Sequence, residues 1–394
     1  MTKIEQVKKH LIEEKIDGWL LYDFHGNNEL ARAFLEISPE TLTTRRFFYW
    51  IPVQGTPVKL VHAIEAGVLD RWPGEKKVFS SWQSLQEGLK NLLQSSQKIA
   101  MEYSPGNAVP YIAKVDAGTI DFIRELGVTV VSSGSFLPYF TAVFSETIGQ
   151  GLIRAGKMLD RIVQDTWDWI ALHLRQGQKM TEYDAQQKIL ADFAAADLYF
   201  GTPPIVAVNE HTADPHYVPQ RTGSSPISPG DWILIDLWGK EKHPGSVFAD
   251  LTRVAVASSS PSMKQQELFH VVREAQAAAY DLVVSRFQAH LPLRGWEVDD
   301  AARSVIADAG YGEYFIHRTG HSIDTNLHGS GAHMDNLEMH DERFLIPNTA
   351  LSIEPGIYLP GELGVRLEYD LYIHQDGRVE IVGGEQNAIT TLDL

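Results

Sequence analysis

The sequence predicts a two-domain fold, with an α/β domain over residues 1–145 ahead of a larger α+β domain over 146–394. Three observations carry this. Up to about residue 140, short apolar strand-like runs alternate with helical periodicity. From 147 the texture changes to two long helical stretches. The end of the chain is rich in strands and carries carboxylates inside otherwise apolar runs.

The elements follow in order. Ile4, Val7, Leu11 and Ile12 recur at helical spacing within 3–15. DGWLLYDF (17–24) reads as a strand, and RRFFYWIPV (45–53) with PVKLVHAI (57–64) as a hairpin around Gln54-Gly55-Thr56. Further strands are predicted at 76–81, 98–103 and 128–133, with helices near 82–95 and 109–125, which together imply a mixed sheet. Beyond the boundary the pattern gives helices at 147–175 and 181–198, then strands at 204–210, 231–238 and 246–257. Helices at 262–290 and 296–309 and strands at 349–358, 364–374 and 378–383 complete it. There is no short-period repeat and no low-complexity tract.

Composition narrows the function. Of the 394 residues 44% are hydrophobic, enough for a sizeable core, and the formal net charge is -17. That charge argues against a nucleic-acid partner and against an anionic membrane surface, both of which call for clustered Lys and Arg. There is no cysteine, so any metal is held by oxygen and imidazole rather than thiolate. The first segment, MTKIEQVKKHLIEEK, is charged and lacks the apolar stretch of a secretory signal, and no run reaches membrane-span length. The expected location is the cytoplasm.

The chemistry concentrates between 216 and 368. Asp236 interrupts the apolar strand WILIDLWG, and Asp250 opens the next strand in FADLTR. His321 follows a glycine in HRTGHSID, a place for a tight turn. Glu354 in LSIEPGIY and Glu368 in GVRLEYDL again have apolar neighbours. A single strand aspartate is ordinarily a paired or strand-end residue. Four such carboxylates with one histidine are harder to place on a solvated surface, and buried together without cations they would repel. Two divalent ions would neutralise them. An oxygen-rich set with one imidazole suits Mn²⁺, with Co²⁺ or Zn²⁺ as alternatives.

At these residues the chain resembles the pita-bread metallopeptidases, the group of aminopeptidase P and prolidase, over nearly its whole length. HRTGH (317–321), SIEPGIY (352–358) and VRLE (365–368) are close to that family's motifs, and Asp, Asp, His, Glu, Glu occur in its order. The resemblance implies a pita-bread catalytic domain behind a creatinase/prolidase-like N-terminal domain. It implies two divalent metal ions, with Asp236 on one, Asp250 and Glu368 bridging, and His321 and Glu354 on the other. It also implies cleavage of the peptide bond before proline by a hydroxide bridging the metals, with Glu354 handling its proton. The substrate would be a proline-containing peptide, and the assembly, by analogy alone, a homodimer.

The same resemblance marks other residues. His216 matches an upstream active-site histidine, with His211 as its competitor and a surface loop histidine as the plain alternative. His328 matches a histidine that contacts the reacting carbonyl. His317 reads equally as substrate-binding or as packing. Arg366 lies two residues before Glu368 on one strand face and reads as a substrate-binding group, a carboxylate-orienting group or a structural ion pair. Two departures stand out. Asp236 and Asp250 are 14 residues apart, longer than usual, with the surplus in GKEKHPGS (239–246), read as a longer hairpin turn. Asp324 stands where the family commonly has glycine, which touches either selectivity or nothing but solvent. The competing functions are a metal-free creatinase-like hydrolase and an inactive protein of the same fold that only binds.

Overall fold

The structure, a computed structural model, describes residues 1–38 and 40–394. It falls into two compact units, Met1–Thr141 and Ala142–Leu394.

The first unit runs α1 (Lys3–Glu13), β1 (Gly18–Asp23), α2 (Glu29–Phe34), β2 (Phe47–Pro52), β3 (Val58–His62), β4 (Glu75–Phe79) and α3 (Trp82–Leu93). It continues with β5 (Lys98–Met101), α4 (Ala117–Glu125), β6 (Thr129–Ser132) and α5 (Pro138–Thr141). Its six strands form one mixed sheet in the order β4-β3-β2-β1-β5-β6. The antiparallel pairs are β1 with β2 and β2 with β3, and the rest are parallel. The expected helix at 109–125 begins only at Ala117. Pro105 and Pro110 start short 3₁₀ turns instead, and Asp116 caps the true helix by accepting the Thr119 N–H at 2.8 Å. The six-residue α2 is too short to leave a periodic signature.

Behind β5 lies a buried carboxyl, Glu102. Trp19 Nε1 donates to it at 2.6 Å, Asn28 Nδ2 at 2.8 Å and Ser133 Oγ at 3.3 Å. Burial outweighs these donors and pushes Glu102 up to about 7, from an ordinary value of 4.5. Between those two values the folded carboxyl keeps its proton and the unfolded one releases it. Stability of this unit therefore falls as pH rises across that window, by roughly 3 kcal/mol at most. Thermal melts of wild type and Glu102→Gln at pH 5 and pH 8 check this. The variant should gain on wild type at pH 8 relative to pH 5, and a gap independent of pH would contradict it.

The second unit opens with α6 (Glu146–Arg175), α7 (Glu182–Ala195), β7 (Leu198–Tyr199), β8 (Ile205–Val208), β9 (Trp232–Glu241) and β10 (Ala249–Val256). Then come α8 (Met263–Gln288), α9 (Gly295–Asp308), β11 (Ser322–Ile323), β12 (Thr349–Ile353) and β13 (Gly356–Leu359). The last strands are β14 (Leu363–Arg366), β15 (Tyr369–Ile373), β16 (Val379–Val382) and β17 (Thr390–Thr391). One sheet runs β17-β10-β9-β7 with β8 also on β9, a second runs β11-β12-β15-β16, and β13 pairs with β14. The helices pack on these sheets around one apolar core that includes Trp167, Phe193, Val254, Val272 and Leu371. Helix starts follow ordinary capping. Thr181 with Asp184 and Ser262 with Gln265 form capping boxes for α7 and α8.

Two expected strands are interrupted. Residues 349–358 break after Ile353 and 364–374 break after Arg366, so Glu354 and Glu368 each sit at a change of sheet. Gln276 of α8 holds both breaks, its amide donating to the carbonyls of Ile353 and Leu367 at 3.0 Å each. Those carbonyls belong to the residues just before the two glutamates.

Candidate metal centre

The β9–β10 hairpin supplies two carboxylates. Asp236 pairs with Thr252, and Asp250 pairs with Trp238. Directly opposed residues share a face and side chains repeat every second residue, so Asp236, Asp250 and Thr252 point the same way. The surplus residues at 239–246 do not disturb this register. Part of them extends β9 to Glu241, where it pairs with β7, and only the remainder forms the turn.

His321 comes from the segment entering β11. Gly320 before it is needed for close approach rather than for a left-handed turn. A Cβ there would lie 2.0 Å from the Ser352 carbonyl oxygen. Ser352 then joins two site residues: its Oγ accepts the His321 N–H and donates to Glu354 Oε1, both at 3.0 Å.

The orientation of the His321 ring follows from its neighbours. Nδ1 lies 3.1 Å from the Ser322 carbonyl and must donate to it, which leaves Nε2 with a lone pair. That lone pair faces Glu354 Oε1 at 3.4 Å and Asp250 Oδ2 at 3.7 Å. Burial first, then His328 and Arg318, hold His321 well below the usual imidazole range, so the ring carries no proton to share with those oxygens. Asp250, His321 and Glu368 each offer a donor atom within 4.8 Å of the others, and all three are buried.

The carboxylates are electrostatically strained. Burial pushes Asp250 far above its usual range, followed by the charges of Glu368, Asp236, Asp370 and Glu354. Glu368 rises in the same way, by burial and then by Glu354 and Asp236. Glu354 reaches about 7, mostly through burial, with Arg366 and Arg318 opposing. Asp236 is raised by burial against the pull of Arg366. One oxygen on each of Asp236, Asp250 and Glu368 is buried without a hydrogen-bond partner. Buried carboxylate oxygens without a hydrogen-bond partner are costly unless a cation fills the space. This donor set fits divalent ions.

Arg366 is buried and forms a fixed fork. Nη2 donates to Asp236 Oδ2 at 2.6 Å, Nε to Thr252 Oγ1 at 3.1 Å and Nη1 to the Tyr358 hydroxyl at 2.9 Å. Thr252 in turn donates to Glu368 Oε2 at 2.7 Å. Tyr358 lies 2.6 Å from His317 Nε2, and His317 Nδ1 lies 2.7 Å from the Arg318 carbonyl. Burial, with Arg366, pulls His317 down to about 3. The ring is neutral, Nδ1–H donates to the carbonyl and Nε2 accepts from Tyr358. Both nitrogens are therefore engaged within the protein.

The remaining histidines separate. His211 packs on Tyr217 and contacts buried Glu182 at 2.9 Å, so it is tied to its own helix–loop junction. His216 is exposed, and its charge acts on Asp236 and His328. His328 opens to solvent, with its ring edge-on to His321 at 4.4 Å. Partial desolvation at the rim of the site, then Arg318 and His216, lower it to about 4, so near pH 7 it has one N–H to donate.

Four supporting residues escaped the sequence reading. Asp370 accepts the Asp250 N–H at 2.8 Å and leaves its other oxygen buried and unpartnered. It interrupts an apolar strand as Asp236 does, so the same signal was available. Thr252 lies two residues after Asp250 on the same face, which alternation alone could have marked. Arg253 donates to the carbonyls of Glu368, Gly383 and Gly384, fixing the backbone at Glu368. Neither Arg253 nor Gln276 carries a local signal.

Residues 150–375 match the model of metallopeptidase family M24, more than half of the chain. The chain belongs to this family. An M24 relative, the Xaa-Pro dipeptidase of Lactobacillus helveticus, is 37% identical over 173 residues, which is 44% of this chain and 42% of that protein. The chain spans about half the length of the curated relatives it matches, between 42% and 62% for the first two. Among solved structures, dipeptidase PepE from Mycobacterium ulcerans has a TM-score of 0.71 at 23% identity, covering 99% of this chain and 97% of that one. X-prolyl aminopeptidase from Caenorhabditis elegans, a cytosolic enzyme with a di-nuclear active site, has a TM-score of 0.65 at 15% identity, covering 96% of this chain and 60% of that one. These likenesses show the pita-bread fold. Among the described residues, no helix is long and apolar enough to cross a membrane.

Proposed function

We propose that this M24 chain is a two-metal peptidase that hydrolyses the bond before proline. The observation that supports the metal part is the buried group of Asp250, His321 and Glu368, with orphan oxygens on Asp250, Glu368 and neighbouring Asp236. A metal-free hydrolase of the same fold would leave those oxygens uncompensated. The preference for proline rests on those relatives that are Xaa-Pro dipeptidases by name.

Asp236, Asp250, His321, Glu354 and Glu368 would hold two divalent ions, with Mn²⁺ the first candidate for an oxygen-rich set. Bound there, such ions neutralise the carboxylates, acidify water and polarise a carbonyl. The chain supplies the rest. Glu354, which Ser352 orients through its hydroxyl, takes the proton of the attacking water and returns it to the departing amine. His328 donates its N–H to the oxygen of the reacting carbonyl. Arg366 aims Asp236 and, through Thr252, Glu368. Its forked contacts make it an orienting group for carboxylates rather than a substrate anchor. His317 braces Tyr358 behind it, and His216 contributes from the exposed side. A cytoplasmic homodimer is the assembly we infer, by analogy with the fold's relatives.

Rates on Ala-Pro, Ala-Pro-Ala and Ala-Ala with Mn²⁺ added test the reading. Both proline peptides should be cleaved at the Ala-Pro bond only if the enzyme tolerates both lengths, and the ratio of the two assigns dipeptidase or aminopeptidase. Ala-Ala should be much slower. Equal rates on Ala-Ala and Ala-Pro would overturn the proline preference.

A further inference from the structure

We propose that Asp324 is a positioning residue for His328, the built-in anchor of the loop that aims its ring. This rests on the reading of His328 above. Asp324 stands where the family resemblance leads one to expect glycine, and it is not a solvated surface group. It is 4% exposed. Oδ1 accepts the Asn326 N–H at 2.8 Å, and Oδ2 accepts the Ser330 N–H at 2.8 Å and the Ser330 hydroxyl at 3.1 Å. One carboxyl thus ties the start of the 324–330 loop to its end, with His328 between. Three donors on one buried carboxyl hold it, and both loop ends, in a fixed geometry.

Other contacts hold the same loop at its base. The Gly329 N–H donates to the Ser322 carbonyl at 2.6 Å, and the Phe248 N–H to the Asp324 carbonyl at 3.2 Å. Lys240 of β9 reaches the Thr325 carbonyl while lying 4.4 Å over the Phe248 ring.

Gly329 supplies independent support. A Cβ at that position would stand 2.9 Å from Asp324 Oδ2 and 3.0 Å from its Cγ. The carboxyl occupies the space that a side chain beside His328 would need, so Asp324 and Gly329 are a matched pair. His328 itself contacts the His321 ring edge-on at 4.4 Å, and among the described residues no hydrogen bond reaches its ring nitrogens. Its aim is therefore set by the backbone that Asp324 fixes, before any substrate arrives. A donor held in advance is worth more to a reaction than one that must be ordered in the act.

A residue that only stabilises the loop would also lower the melting temperature when removed. Activity in two backgrounds separates that role from positioning. Asp324→Gly, His328→Ala and the double variant are compared with wild type for kcat, KM and metal content on Mn²⁺-loaded protein, and a structure of Asp324→Gly is solved. Asp324→Gly should keep its metal and KM while losing about 10- to 100-fold in kcat, the scale of a misplaced catalytic group. In the His328→Ala background the same change should alter kcat by less than about twofold, because coupled residues are not additive. The His328 ring should be displaced in the structure. An equal loss in both backgrounds, or an unmoved ring with unchanged kcat, overturns the proposal while leaving the role of His328 intact. Full activity of His328→Ala overturns the reading beneath it. If Asp324→Gly does not fold, Asp324→Asn, which keeps the bond to Asn326 but sets an amide against Ser330, carries the same cycle with a smaller loss.

Discussion

Replacing Glu368 with alanine should empty the centre and abolish turnover. Glu368 is 2% exposed, accepts from Thr252 at 2.7 Å through one oxygen, leaves the other unpartnered, and groups with Asp250 and His321. Its removal deletes a donor that the two ions would share, so metal content should fall below two per chain and activity below detection. Glu368→Gln sharpens the argument. The amide oxygen still accepts from Thr252, but the cost of burying one carboxyl that its surroundings hold far above its usual range is gone. The metal-free variant should then melt above metal-free wild type, yet gain little on adding Mn²⁺. Elemental analysis and melts with and without Mn²⁺ measure both effects. A Glu368→Ala variant with full metal and full rate would remove this carboxylate from the site.

The second large effect separates two histidines. His328→Ala should retain both ions and the fold but lose on the order of 10²–10³ in turnover, the usual cost of one donor to a developing oxyanion. His321→Ala should weaken metal binding instead, because Nε2 is the lone pair facing Glu354 and Asp250. Metal content with steady-state kinetics on the two variants decides. Loss of metal in His328→Ala with retention in His321→Ala would reverse the two roles.

Much of this centre is readable from the chain because its chemistry violates local pattern. Asp236 in WILIDLWG and Glu368 in GVRLEYDL are carboxylates set among apolar neighbours. What supports them is less visible. Gln276 lies far along the sequence on a helix, and only the folded chain shows that its amide spans Ile353 and Leu367. Arg253 looks like any strand arginine until Gly383 and Gly384 arrive to accept from it. Strand breaks at Glu354 and Glu368 were hidden because apolar residues continue on both sides while the partner strand changes. The long interval from Asp236 to Asp250 reads as a turn, whereas some of it is strand, since β7 lies far enough out to pair with Lys240 and Glu241. Asp324 was legible as a departure, but burial and two loop ends were needed to give it a role.

Five side chains are proposed to hold two divalent ions side by side. Anomalous diffraction from Mn²⁺-loaded crystals, collected at the manganese edge, tests it most directly. Two peaks roughly 3.5–4 Å apart are expected, enclosed by Asp236, Asp250, His321, Glu354 and Glu368, with none on His328. A single peak, or peaks that leave Asp250 and Glu368 outside the coordination sphere, would contradict it.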